Sequence, residues 1–131
     1  MASVRREVVI HRSANDVWAR IGDPVAIREW FPGMTDASVE GSVRLITTAT
    51  GLPLPETILI NDPIQRRFQY RLDLPVVRFH RATIDVIELD ATSSLVVYST
   101  DCEPDPMALV VGGATGNALH ELKRQLEHDE A

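Results

Sequence analysis

The chain has 131 residues, 44% of them hydrophobic and 24% charged, with a formal net charge of -6. That length fits one domain, taken as residues 1–131, able to bury roughly two thirds of its unfolded surface. The acidic balance speaks against nucleic acid or an anionic membrane surface as a partner, since both require a basic face. Cys102 is the only cysteine, so no intramolecular disulfide can form, which fits a reducing compartment.

The first twelve residues carry basic side chains but no apolar run, so no secretory signal is expected. The most apolar helical stretch, residues 107–119, is too short for a membrane span and contains three glycines. A cytoplasmic protein is expected. Lys123 is the one lysine among 13 basic residues; the others are arginine, a bias that fits a GC-rich bacterial genome.

Residues 4–10 are rich in β-formers and read as the first strand. Ser13, with Asp16 three positions on, is a near relative of the capping box and starts a short helix to about Ile21. Gly22-Asp23-Pro24 breaks it. Pro24 suits the first turn of a second short helix that ends near Trp30, closed by Phe31-Pro32-Gly33. Strands follow at residues 37–40 and 42–48, around Gly41. The prolines of Gly51-Leu52-Pro53-Leu54-Pro55 remove ladder donors, so this stretch is expected to be a loop. A strand at 56–60 and the turn Asn61-Asp62-Pro63 lead into residues 67–72, where Phe68, Tyr70 and Leu72 alternate with Arg67, Gln69 and Arg71. A strand from about Arg78 to Leu89 places His80, Ala82, Ile84 and Val86 on one face, and residues 95–102 form the last strand. From Met107 to about His128, Val111, Thr115, Ala118, Leu119, Leu122 and Leu126 share one face of a long helix. Strands in series closed by one long helix describe an α+β domain: a curved antiparallel meander around a C-terminal helix.

The motifs for common chemistries fail. His120-Glu121 begins like a zinc-binding H-E-x-x-H, but Arg124 occupies the second ligand position, and the other histidines have no ligand spacing. No metal and no cofactor are expected. Neither a nucleophile elbow nor a Walker sequence is present, and Cys102 in a strand reads as packing.

Three features remain. The first is a run of small residues in the long helix. Gly112, Gly113 and Gly116 each cost about 1 kcal/mol there, which calls either for close helix–sheet contact or for space. Ala114, Thr115 and Ala118 at mid-length point to space, and an apolar void is costly unless something fills it. The second is Glu56, which heads the row Glu56, Ile58, Ile60. It either reaches solvent at the strand end or is a buried carboxylate that needs a cation such as Arg78, or a ligand hydroxyl. The third is the pair His80 and Tyr70, the other polar groups on inward rows, with His80 also readable as a satisfied core histidine.

The order Ser13-Ala14-Asn15-Asp16-Val17-Trp18, Glu29-Trp30-Phe31-Pro32-Gly33, Gly41-Ser42-Val43-Arg44 resembles the polyketide cyclase/dehydrase-like branch of the START and birch-pollen-allergen (SRPBCC) superfamily. Pro55-Glu56-Thr57-Ile58-Leu59, Asn61-Asp62-Pro63, Arg67-Phe68-Gln69-Tyr70-Arg71, Leu74-Pro75 and Arg81-Ala82-Thr83 continue it over almost the whole chain. The resemblance implies a helix-grip fold, seven strands gripping the C-terminal helix around a cavity for lipids, sterols, polyketides or plant hormones. Its cavity would be lined by Trp30, Leu52, Pro53, Glu56, Ile58, Ile60, Tyr70, Leu72, His80, Ala82, Ile84, Val111, Ala114, Ala118 and Leu122. Gly51-Leu52-Pro53 resembles the gate loop of plant abscisic acid receptors, but their carboxylate-binding lysine has no counterpart, which disfavours such an acid. Aromatic polyketide cyclases of the family use an arginine on a cavity strand. Residues 56–60 offer none, Arg71 belongs to the outward row, and Arg78 is left as the candidate. The fold serves enzymes, carriers and receptors alike. The expected function is therefore binding of a small hydrophobic or amphipathic molecule. The alternatives are a cyclase/dehydratase-type enzyme with His80 or Glu56 as general acid–base, and a protein-interaction domain with a vestigial cavity. Nothing in the sequence sets an oligomeric state.

Overall fold

Alternation of buried and half-buried side chains is complete in the last strand, where Ser94, Val96, Tyr98, Thr100 and Cys102 all point inward. It organises most of the computed structural model, which describes residues 1–128. The strands are β1 (Ala2–Ile10), β2 (Met34–Glu40), β3 (Val43–Thr48), β4 (Pro53–Asp62), β5 (Arg67–Leu72), β6 (Phe79–Asp90) and β7 (Ser93–Glu103). The helices are α1 (Ala14–Ile21), α2 (Ile27–Trp30), which continues a 3-10 turn at Pro24–Ala26, and α3 (Met107–His128). All seven strands form one antiparallel sheet in the order β1-β7-β6-β5-β4-β3-β2. This is the helix-grip arrangement, and α3, at 22 residues about 33 Å long, crosses the sheet's concave face.

Bulges lie between Met34 and Asp36, Ile58 and Ile60, and Glu88 and Asp90. Each bends its strand and helps curl the sheet. The Ser13 hydroxyl caps α1 by accepting the Asp16 N–H at 3.1 Å, and the Asp23 carboxylate caps the 3-10 turn through the Val25 N–H.

The expectation of a loop at residues 51–55 is overturned. Only Gly51 and Leu52 lie outside the strands; β4 begins at Pro53, and Pro53, Leu54 and Pro55 pair with Thr47, Ile46 and Leu45. Register explains the tolerance. Thr48 N donates to Leu52 O and Ile58 N to Ser42 O, so the hydrogen-bonded pairs of this ladder fall on the even-numbered β4 residues. The missing donors of Pro53 and Pro55 therefore face the β5 side, where pairing begins only at Glu56 opposite Leu72.

The C-terminal two thirds of α3 sit on the core. Ala118, Leu119, Leu122 and Leu126 are buried against Ile10, Val17, Ile21, Trp30 and the inward faces of β5, β6 and β7. A fully buried leucine contributes roughly 1.5–3 kcal/mol. Polar ties fix this end: Gln125 Nε2 donates to Glu29 O at 2.7 Å, and Lys123 Nζ to Val9 O at 2.6 Å. Gly112 lets β1 approach. A Cβ there would lie 2.9 Å from Val4 Cγ2, and Arg6 Nε donates to the Gly112 carbonyl at 3.2 Å. At the N-terminal end of α3, Leu109 and Val110 stand exposed. Among the described residues, no helix is long and apolar enough to cross a membrane.

Candidate functional site

The registers of four adjacent ladders put one residue from each of five strands on a single row: Arg44 opposite Glu56, Glu56 opposite Leu72, Leu72 followed by His80, and His80 opposite Cys102. The Leu72–His80 step continues the β5–β6 register two positions past Tyr70 opposite Ala82 and is closed by a side chain, the Leu72 N–H donating to His80 Nδ1 at 3.0 Å. The row faces inward, so three strands deliver Glu56, Leu72 and His80 to the floor of one cavity of about 320 Å³. Phe31, Met34 and Leu54 form one wall, and Val110, Val111, Ala114 and Thr115 of α3 form the other, with Tyr70 beside the row on β5.

Arg44 and Glu56 form a buried ion pair, 2% and 3% exposed. Arg44 Nε donates to Glu56 Oε1 at 2.8 Å, and Nη2 lies 2.6 Å from the same oxygen without an aligned hydrogen bond. Nη1 donates to the Pro24 carbonyl at 3.1 Å. The guanidinium stacks on Phe68 and Tyr70, its carbon 5.1 and 5.0 Å from the two ring centroids. An arginine cannot shed its proton, so its burial requires a counter-charge, and Glu56 is the carboxylate that supplies it. Burial pushes the Glu56 carboxyl up from its ordinary range, and Arg44 pulls it back down.

Both Arg44 contacts use Oε1. Among the described residues no protein donor takes Glu56 Oε2. It is also absent from the sealed, unpaired side-chain atoms, which are Trp30 Nε1 and Arg44 Nη2. Oε2 is therefore reached from the cavity. His80 is similar. Its Nδ1 accepts from the Leu72 backbone, so the neutral ring carries its proton on Nε2, and among the described residues that N–H has no protein partner. Burial holds the imidazole neutral, lowering its pKa to about 4 against a weaker opposing pull from Asp73. The other nearby hydroxyls are occupied: Tyr70 and Tyr98 share a very short hydrogen bond, and Thr115 Oγ1 donates to Gly112 O. Burial raises both phenols well above the ordinary tyrosine range. Among the described residues, no group of three or more His, Cys, Asp and Glu is placed to hold a metal ion.

Over residues 1–127 the chain matches the model of the family described as polyketide cyclase / dehydrase and lipid transport. The chain belongs to this family. Among proteins of curated function, none matches it significantly. Solved structures do. The protein XoxI from Bacillus cereus superposes with a TM-score of 0.89 at 25% identity, over 98% of this chain and 99% of that one. The di-domain ARO/CYC BexL from the BE-7585A biosynthetic pathway gives a TM-score of 0.83 at 18% identity, over 97% of this chain and 47% of that one, so this chain spans about half of it. A norcoclaurine synthase point mutant from Thalictrum flavum, in complex with a transition-state analogue, gives 0.75 at 17%, over 98% and 96%. The last two likenesses carry the fold alone.

Of the residues expected to line that cavity, Glu56, Tyr70, Leu72, His80, Val111 and Ala114 do so. The others lie elsewhere. Trp30, Ala82, Ile84, Ala118 and Leu122 are core residues already covered by neighbours; Phe31, one residue after Trp30, takes the wall position. Ile58 is half-buried and packs against that core. Ile60 is solvent-exposed, because the bulge after Ile58 shifts the alternation, places Ile60 opposite the outward Gln69 and sets Asn61 opposite Phe68. Leu52 and Pro53 are exposed in and beside the β3–β4 turn; the Leu52 carbonyl is held by both the N–H and the hydroxyl of Thr48.

Arg78 is exposed and is not the inward arginine; Arg44 is. The binary pattern of β3 hides it, since Val43 and Leu45, the residues that look like core, face out at 49% and 43% exposure. The usable signal was Arg44 two positions before Ile46 on the same face. Leu54 was missed because the prolines around it argued for a loop.

Proposed function

We propose that this family member binds a small apolar or amphipathic molecule in the cavity between β4–β6 and the N-terminal half of α3. One observation carries the reading: a cavity with mostly apolar walls into which β4 and β6, the strands on either side of β5, deliver two polar atoms, Glu56 Oε2 and His80 Nε2, that have no protein partner among the described residues. The apolar walls supply affinity and the two polar atoms supply orientation. Val110, exposed and on the cavity lining, extends the apolar surface outward. The net charge of -6 and a lone, buried cysteine support a cytoplasmic setting without a nucleic-acid partner. Native mass spectrometry of freshly purified protein, with titration of the uncharged fluorophore N-phenyl-1-naphthylamine, tests the reading. A co-purified small molecule or saturable binding supports it; neither, across a range of fluorophore concentrations, refutes it.

A cyclase/dehydratase-type enzyme in the same cavity is the second reading. It is favoured by a carboxyl raised by burial and a neutral imidazole opening onto one space, a combination suited to proton transfer. The two groups are not hydrogen-bonded to each other, so a substrate would have to bridge them. Loss of a measured turnover in His80→Leu with retained binding of N-phenyl-1-naphthylamine would separate catalysis from binding.

A further inference from the structure

We infer that the cavity selects an uncharged, hydroxyl-bearing molecule and rejects the carboxylate of the same skeleton; this rests on the binding reading above. The inference follows from counting what the site still offers once its internal bonds are made. Arg44 spends its charge on Glu56 Oε1. Tyr70 is tied to Tyr98, Thr115 to Gly112, and the Thr48 hydroxyl donates to Leu52 O. What is left is one strong acceptor, Oε2, and one donor, the His80 Nε2–H, on the same cross-sheet row with Leu72 between them.

That complement suits a hydroxyl, or a hydroxyl with a carbonyl along one edge of an apolar body. The hydroxyl proton goes to Oε2, and an oxygen lone pair receives the Nε2–H. A ligand carboxylate meets the opposite situation. It has no proton for Oε2, it brings a second negative charge against Glu56, and among the described residues no unspent cation lines the cavity to compensate. The imidazole cannot supply that charge near neutrality, because burial holds it neutral. A plain hydrocarbon fits the walls but leaves Oε2 desolvated and unpaired, which carries its own penalty.

The test is calorimetric titration of the full chain at neutral pH with four probes of one skeleton: naphthalene, 2-methoxynaphthalene, 2-naphthol and 2-naphthoate. The expected order places 2-naphthol on the order of tenfold tighter than naphthalene and the methyl ether, the scale of one hydrogen bond to a charged group. 2-Naphthoate should be weaker than naphthalene. Glu56→Gln strands the buried Arg44 and can fail to fold, so two other variants probe the site. The double variant Arg44→Met/Glu56→Met and the single variant His80→Leu should each abolish most of the 2-naphthol advantage while leaving naphthalene binding in place. Equal affinity for all four probes, or 2-naphthoate binding as tightly as 2-naphthol, overturns the selectivity and leaves the cavity as a binding site. Binding of none of them overturns the binding reading itself, and the selectivity with it.

Discussion

Glu56 and His80 lie on one row of the sheet, two strands apart, with Leu72 between them. At roughly 4.8 Å per strand, their backbones are about 10 Å apart, close enough for one small molecule to touch both side chains. Glu56 is held from its far side by Arg44 on β3, and His80 from the side of β5 by the backbone N–H of Leu72. The sheet register thus fixes both the position and the orientation of the two atoms left for a ligand.

The Arg44–Glu56 pair should behave as a unit. Arg44→Met strands a buried carboxylate and should cost about 3–5 kcal/mol, whereas Arg44→Met/Glu56→Leu removes both charges and should recover most of that loss. Urea unfolding of the two variants checks this. Similar losses in both would mean that packing of the guanidinium on Phe68 and Tyr70, rather than charge compensation, dominates.

His80 should make the fold acid-sensitive. Its pKa is lowered by burial from 6.5 to about 4, so between those values the unfolded chain takes up a proton that the folded chain does not. Stability contributed by keeping the ring neutral is present above pH 6.5 and is lost as pH falls towards 4, on the order of 3 kcal/mol in all. His80→Gln, which retains an acceptor for the Leu72 N–H, should show a flatter stability profile across that window. An unchanged profile would assign the acid sensitivity to other groups.

The chain has two tyrosines, and both are buried with their phenols paired. Folding raises both, so the unfolded chain loses these protons first, and alkali should favour unfolding from about pH 10 upward. Absorbance of tyrosinate in the near ultraviolet should stay flat through pH 10 and rise only together with loss of tertiary structure. Tyrosinate appearing at pH 10 in a folded protein would show that one phenol reaches solvent.

The fold was legible because periodicity is a property of each segment alone. Ser13 capping α1, the clean alternation of residues 67–72 and the apolar face of α3 all needed no knowledge of neighbours. The site was half legible for the same reason: Glu56, Tyr70, Leu72 and His80 follow from alternation within a strand. What was not legible depends on pairing between strands. Ile60 leaves the inward row because of a bulge opposite β5, and Pro53 and Pro55 are tolerated because β5 ends where their missing donors point. Arg44 needed the β3–β4 register, since in isolation Val43 and Leu45 make the more convincing core face.

The glycines of α3 should divide sharply. At Gly112 an added Cβ meets Val4 and Arg6 at 2.9 Å, whereas at Gly113 it meets nothing within 4 Å. Gly112→Ala should push the helix off β1 and cost about 1–3 kcal/mol. Gly113→Ala should stabilise by up to about 1 kcal/mol through helix propensity alone. Thermal unfolding of both separates close contact from mere tolerance; equal effects would remove the argument that Gly112 sets the helix–sheet distance.

Two alanines one turn apart on α3 give the last and most direct test. Ala118 is 0% exposed within the core cluster, while Ala114 borders the cavity and is open to it. Ala118→Leu must find room among side chains already in contact and should cost about 1–3 kcal/mol. Ala114→Leu has the cavity to grow into, so its stability should stay level or rise as apolar surface is covered. Binding of N-phenyl-1-naphthylamine should show the opposite ordering. It should fall sharply in Ala114→Leu, where the new side chain occupies the ligand's volume. In Ala118→Leu, measured below its lowered unfolding midpoint, it should be nearly unchanged. If Ala114→Leu instead destabilised the protein and left binding intact, the space beside it would be closed in solution and the fluorophore would be held somewhere else.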